Sequence, residues 1–244
     1  MIHNYFSKNS EKIDKKRKSN AISIVDCLLS ACAVFSLKFS SLLKYNDSRD
    51  DKTMLNNFKN LFHIEQPPSD TTMRERLDDI NPEDVRGAFK KIFSFLQKGK
   101  GLEQYRYLDG HYLVSIDGVH HFSSSEIFCE NCCKKKHRSG ETTYHHSMLC
   151  AVLVHPEIKR VIPFAPEAIV RQDGETKNDC EQNAAKRLLQ DFRREHPHLK
   201  TIVIQDSLYS TGPHIDLLKE LNIRFIINAK SGNLGTLFEY IALI

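Results

Sequence analysis

No stretch of this 244-residue chain is both long and apolar enough to span a bilayer. The strongest contender, Ala21 to Leu37, carries Asp26 and several Ser and Cys. It falls short of the about 20 apolar residues that a span requires, so it reads as a helix enclosed by protein. A secretory leader is missing as well, because the first residues are polar. The seven cysteines are odd in number and irregular in spacing, which excludes a tidy disulfide framework and points to reduced thiols in a cytoplasmic protein. Strong charge of one sign is also lacking, since 35 Lys and Arg stand against 31 Asp and Glu. The small surplus is concentrated: residues 1–19 hold Lys8, Lys12, Lys15, Lys16, Arg17 and Lys18 against Glu11 and Asp14. Such a basic arm meets phosphates through counterion release, or is merely solvated. What the composition does supply is a core, with 40% hydrophobic residues for one large domain or two ordinary ones.

The first hundred residues read as helices. Ile24, Leu28, Ala31 and Phe35 form one stripe of a helix over 20–45, with Val25, Leu29 and Cys32 beside it. Residues 46–53 are a polar loop. After Pro67-Pro68, Thr72 and Glu75 have capping-box spacing, and Asn81-Pro82 opens a further helix that runs to Gly99. Short helices behind a basic arm are compatible with a helix-turn-helix in which Arg74 and Arg76 face a DNA groove, or with plain helix packing. The domains expected are a basic arm at 1–19, a helical, DNA-binding candidate region at 20–104, and an α/β core at 105–244.

From about residue 105 the period changes to that of strands. Tyr112-Leu113-Val114-Ser115-Ile116-Asp117-Gly118 is a short apolar run that ends in a carboxylate and a glycine. Thr201-Ile202-Val203-Ile204-Gln205-Asp206-Ser207 repeats the device. Between them lie strands at 144–154 and 160–170, joined by a hairpin turn, then a helix with Ala184, Ala185, Leu188, Leu189 and Phe192 as its core stripe. A helix near 213–221 and a strand at 224–228 follow. The order β-β-β-α-β-α-β gives a mixed sheet whose first strand is able to pair with the strand after the helix. Two carboxylates 89 positions apart would then reach one divalent ion. Oxygen-only ligands at a sheet edge suit Mg²⁺, while an aspartate after a strand is also an ordinary turn former or cap.

Other groups have two readings each. Cys129-x-x-Cys132 has zinc-knuckle spacing, with His137 and His145 or His146 at hand for a structural Zn²⁺, but a single CxxC with Cys133 adjacent equally describes simple thiols. Asp173, Asp179 and Glu181 precede the long helix, where Asp179 reads as its cap and Glu181 as a favourable first-turn charge. His120 and His121 stand near enough to Asp117 to touch a substrate, or are loop polarity. Lys134 to Arg138 offer a phosphate contact, or a solvated loop.

Many phrases together give the chain a likeness. They include Phe35-Ser36-Leu37-Lys38-Phe39, Pro68-Ser69-Asp70-Thr71, Met73-Arg74-Glu75, Ser115-Ile116-Asp117-Gly118, Cys129-Glu130-Asn131-Cys132, Gln172-Asp173-Gly174, Lys177-Asn178-Asp179-Cys180-Glu181 and Gln205-Asp206-Ser207-Leu208. In this order they resemble bacterial insertion-sequence transposases of the DDE, RNase H-like superfamily, over about residues 22 to 240. The resemblance implies an RNase H-like mixed sheet flanked by helices, preceded by an all-α N-terminal region. It also implies Asp117 and Asp206 as the first two catalytic carboxylates, holding a pair of Mg²⁺ or Mn²⁺ ions for phosphodiester cleavage and strand transfer. Its implied partners are DNA, both transposon ends and target, and further copies of the chain, without a membrane. Such enzymes carry a third acid, usually a Glu on a helix after the last core strand. Glu239 is the only acid left there, so a C-terminally truncated copy with an impaired site is expected. The alternative is an inactive DNA-binding remnant that regulates transposition.

Overall fold

The computed structural model describes residues 1–14, 22–169 and 181–230. Of the residues singled out above, Lys15, Lys16, Arg17, Lys18, Asp173, Asp179 and Glu239 lie outside the described ones. The chain divides into two compact units, Met1–Ser94 and Phe95–Ile244.

The first unit is built from α1 (Ile2–Ile13), α2 (Ile24–Ser36), α3 (Leu42–Ser48), α4 (Lys52–Phe62), α5 (Asp70–Asp78) and the start of α6 (Pro82–Lys98). Residues 2–13 are therefore a helix and not an arm. The reason is a stripe overlooked among the lysines: Phe6 and Ile13, seven positions apart, both enter the core. The helix expected over 20–45 is two helices. Lys38 takes a left-handed backbone with φ of 57°, and Ser41 then caps α3 by accepting from the Lys44 N–H at 3.1 Å. Much of the loop expected at 46–53 is likewise helix end, with Asp51 capping α4 through the Thr53 and Met54 amides. The cap of α5 is Ser69, which accepts from the Thr72 N–H at 3.1 Å, so Thr72 is a first-turn residue. At α6, Asn81 accepts from the Glu83 N–H at 3.0 Å and Pro82 takes the first turn, as its order of residues predicts.

Two buried polar side chains fasten the loop between α4 and α5. The Asp26 carboxylate accepts from the Glu65 and Gln66 amides at 3.1 and 3.4 Å. The Tyr45 hydroxyl donates to the Pro68 carbonyl at 3.0 Å. A buried carboxylate is tolerated because these amides repay part of its lost hydration, and its pKa is still raised by burial.

The second unit contains β1 (Arg106–Tyr107), β2 (His111–Ser124), β3 (Cys133–Lys136), β4 (Thr142–His155), β5 (Ile158–Pro163), β6 (Glu167–Ile169), α7 (Glu181–Glu195), β7 (Thr201–Gln205), α8 (Gly212–Glu220) and β8 (Arg224–Ile227). They form one mixed sheet with the path β3-β4-β2-β7-β8. β2 is central, antiparallel to β4 on one side and parallel to β7 on the other. The far edge of β4 is shared end to end by β3, β6 and β5. This is the RNase H-like arrangement, a mixed sheet flanked by helices and preceded by helices. β2 and β4 are each 14 residues long, so much of the polar excursion expected at 120–143 is strand.

α7 packs on β4 and β6. Its stripe of Ala184, Ala185, Leu188, Leu189 and Phe192 is buried throughout, as its 3.6-residue spacing predicts. Each of its two fully enclosed leucines should cost about 2–5 kcal/mol on truncation to Ala. Arg187 fixes the helix azimuth by pairing with Glu167 and donating to the Ala168 carbonyl at 3.2 Å. Among the described residues, no helix is long and apolar enough to cross a membrane.

Candidate active site

The site begins with strand register. In the parallel β2–β7 ladder the last pair is Ser115 opposite Ile204, and Asp117 and Asp206 each lie two residues beyond it; β2 continues to Ser124, so Asp117 sits inside its strand and does not end it as expected, whereas Asp206 does follow the end of β7. Partners in register point to the same side of a sheet, since side chains alternate with period two. Both aspartates are exposed. Asp117 accepts from the next amide, Gly118 N–H, at 2.9 Å. Asp206 starts a 3-10 turn, Ser207–Tyr209, by accepting from the Leu208 N–H at 2.9 Å.

A third carboxylate joins them, that of Glu181, expected from sequence only as a favourable first-turn charge. Glu181 opens α7, and its position beside Gly118 is tight: a β-carbon added at Gly118 would stand 2.5 Å from Glu181 Oε1 and 2.7 Å from its Cδ. Glycine at this point of β2 thus makes room for the carboxylate. Gln182, the next residue, donates to the Leu208 carbonyl at 2.8 Å, which ties the start of α7 to the turn after Asp206.

Tyr209 shows how close the three acids are. Its side chain is nearly fully buried, and its hydroxyl donates to Glu181 Oε2 at 3.5 Å. Burial first, then the charges of Glu181, Asp206 and Asp117, push the phenol pKa well up. One buried hydroxyl therefore feels all three carboxylates, and it remains a proton donor. Across the β2–β4 ladder, Cys150 stands opposite Asp117. Burial and that aspartate raise its thiol pKa, so it stays protonated.

A polar pair lies under the rim. The buried His214 ring shares a 2.8 Å hydrogen bond with Gln205 Oε1 and packs 5.2 Å from the Tyr209 ring. Burial lowers the His214 pKa. A histidine that protonates more easily when unfolded contributes fully above about pH 6.5, the ordinary value, and its contribution is lost as pH falls below it. We expect the melting temperature to decline between pH 7 and 5, and His214→Gln to flatten part of that decline in a melting series.

None of the three carboxylates has a Lys or Arg partner among the described residues. Clustered and unneutralised, they make an all-oxygen donor set, which fits a hard divalent cation and not a thiophilic one. Their ligand atoms do not converge as a compact trio within 4.8 Å among the described residues.

Elsewhere the expected groups sort differently. Arg76 is paired with Asp14, their side chains 17% and 6% exposed, so the expected role of Arg76 at a DNA groove is replaced by a structural one. Arg74 stays exposed beside Asp70, 3.4 Å away. His120 bonds to Ser147 and meets the His145 ring. His121 stacks on His146, so both are engaged within the β2–β4 hairpin. Of the histidines named for a knuckle, His146 alone meets the cysteines. Its Nε2 lies 3.2 Å from both Cys129 Sγ and Cys132 Sγ. His137 instead bonds to Thr143 at 2.8 Å. Lys134, Lys135 and Lys136 lie along β3 at the sheet edge, all exposed.

No family model and no curated protein matches the sequence. Among solved structures, the chain is similar to that in a cryo-EM structure of a piggyBac transposase synaptic complex with hairpin DNA, with a TM-score of 0.34 and 12% identity. The match covers 94% of this chain and 48% of the other, so this chain spans about half the length of that one.

Proposed function

We propose that the second unit is a transposase-type core for metal-dependent phosphodiester transfer on DNA, with Asp117 and Asp206 as its metal-binding carboxylates. The observation that supports this reading is the parallel β2–β7 ladder, since Asp117 and Asp206 each lie two residues past its last pair on neighbouring strands. The acids at this rim fit Mg²⁺ or Mn²⁺ by donor chemistry. When bound, such ions sharpen an attacking hydroxyl and stabilise the leaving oxygen.

The chain's own residues have the remaining tasks. Asp117 presents its charge from within the central strand and Asp206 from the residue that follows β7, which fixes them better than a long loop does. Glu181 adds a third carboxylate from α7, and the Tyr209 hydroxyl holds it in place while leaving its other oxygen free of that bond. Lys134, Lys135 and Lys136 supply positive charge for the DNA backbone from the edge strand. Cleavage at insertion-sequence ends and strand transfer to a target belong to this proposal, as does assembly of several copies on DNA.

The test is a nicking assay on supercoiled and end-containing DNA at low salt. Nicking that needs Mg²⁺ or Mn²⁺, stops with chelator and disappears in Asp206→Asn is the expected result. Binding of DNA without any metal-dependent nicking would instead assign the chain to a regulatory DNA-binding role, and an activity indifferent to Asp206 would remove the proposal.

A further inference from the structure

The loop between β2 and β3 brings together three soft-metal ligands that the phosphodiester chemistry does not use. Cys129 Sγ and Cys132 Sγ are 3.7 Å apart, and each is 3.2 Å from His146 Nε2. Among the described residues, this is the one group of His, Cys, Asp and Glu whose ligand atoms all lie within 4.8 Å of one another. Two thiolates about 2.3 Å from a tetrahedral zinc stand about 3.8 Å apart, and a thiolate and an imidazole about 3.6 Å. The sulfur pair matches the first separation, and the sulfur–nitrogen pairs fall a few tenths of an ångström inside the second.

The backbone around the cysteines supports the same assignment. The Cys132 N–H donates to the Cys129 carbonyl at 3.2 Å, closing a tight turn. The Cys129 N–H donates to Cys132 Sγ at 3.3 Å, an arrangement that favours charge on that sulfur. Cys133, the neighbour that blurred the motif in sequence, donates to the Ile169 carbonyl at 3.5 Å, away from the group. His146 comes from a different strand, β4, so the three ligands join the loop to the sheet.

β2 buttresses the His146 ring. The β2–β4 register shifts between His120 and Phe122, which leaves His121 as the extra residue of a bulge. Bulges re-aim side chains, and this one lays the His121 ring nearly parallel to His146, with centroids 6.0 Å apart and planes inclined by 20°.

We propose that Cys129, Cys132 and His146 are the protein ligands of a structural Zn²⁺. The ion would pin the loop that presents Ile127 and Phe128, which are 68% and 63% exposed, with Phe128 stacked 4.6 Å from Tyr144. It would also hold the start of the basic edge strand β3. The inference stands on this geometry alone and is independent of the carboxylate site.

The experiment uses the full chain with its thiols reduced, titrated with Co²⁺ and then Zn²⁺. The expected result is a single equivalent of tetrahedral Co²⁺ with thiolate charge-transfer absorption, displaced by Zn²⁺. Cys129→Ser and His146→Ala should weaken binding by more than about 100-fold, beyond what loss of a mere outer-shell partner does, whereas Cys133→Ser and His137→Ala should leave it unchanged. Cys129 is exposed, so its replacement spares the fold and keeps the test decisive. Limited proteolysis gives a second readout: chelation of the wild-type chain should open cleavage within residues 125–141. An octahedral Co²⁺ spectrum, or a tetrahedral one that survives Cys129→Ser, overturns the site.

Discussion

Asp117→Asn should abolish metal-dependent cleavage while leaving the fold intact. Asp117 is an exposed side chain in the middle of the central strand, and its carboxylate accepts from the adjacent amide. An asparagine oxygen can keep that bond. What is lost is the negative charge that an ion needs. Removing one ligand of a metal that stabilises the transition state by several kcal/mol should slow cleavage by about 1,000-fold, or about 4 kcal/mol. Stability moves the other way. Without metal, three carboxylates around Tyr209 repel one another, so the variant should melt at the same temperature as wild type or slightly above it. With Mg²⁺ at about 100 times its Kd the wild type gains about 2.7 kcal/mol, and the variant should gain almost none. Thermal melts with and without Mg²⁺, run beside the nicking assay, check both statements. A variant that still responds to Mg²⁺ would reduce Asp117 to a turn residue.

The second large effect is expected in the helical unit. Arg76→Ala should destabilise it by about 3–5 kcal/mol, because Asp14 is left as an unpaired charge at a site that is only 6% exposed. The pair is what holds the Arg76 pKa up, first through its hydrogen bond to Asp14. Asp14→Asn combined with Arg76→Met should cost less than Arg76→Ala alone, since no buried charge is then orphaned. Arg74→Ala, by contrast, removes an exposed partner of Asp70 and should shift stability by no more than about 1 kcal/mol. Denaturant titrations of the four proteins settle the comparison. If Arg76→Ala melts like wild type, the guanidinium is not structural and its role as a DNA contact returns.

The strands carrying Asp117 and Asp206 were legible because an apolar run marks the element, but the end of the first was misplaced: β2 continues past Asp117 to Ser124, where its pairing with β4 holds a polar stretch in the sheet. The core stripe of α7 and the Asn81-Pro82 start of α6 were legible for the same kind of reason, since the causes are local. Glu181 was not. As a residue it looks like an ordinary first-turn acid, and its place at the rim depends on the missing side chain of Gly118, 63 positions earlier, and on the tether from Gln182 to Leu208. The knuckle was legible in its cysteines and ambiguous in its histidine, because three histidines offered themselves and strand pairing chooses between them. β3 pairing turns His137 to Thr143, and the ladder with β2 sets His145 beside His120 and His146 beside the bulge.

The sequence by itself determined most of the elements' types and the change from a helical part to a sheet part, because hydrophobic period and capping act over a few neighbouring residues. Only the tertiary structure decided which distant groups meet. Register places Asp117 and Asp206 each two residues past the last β2–β7 pair, helix docking adds Glu181, and a one-residue bulge turns His121 toward His146. These are consequences of how strands and helices pack against each other, and no single stretch of chain contains them.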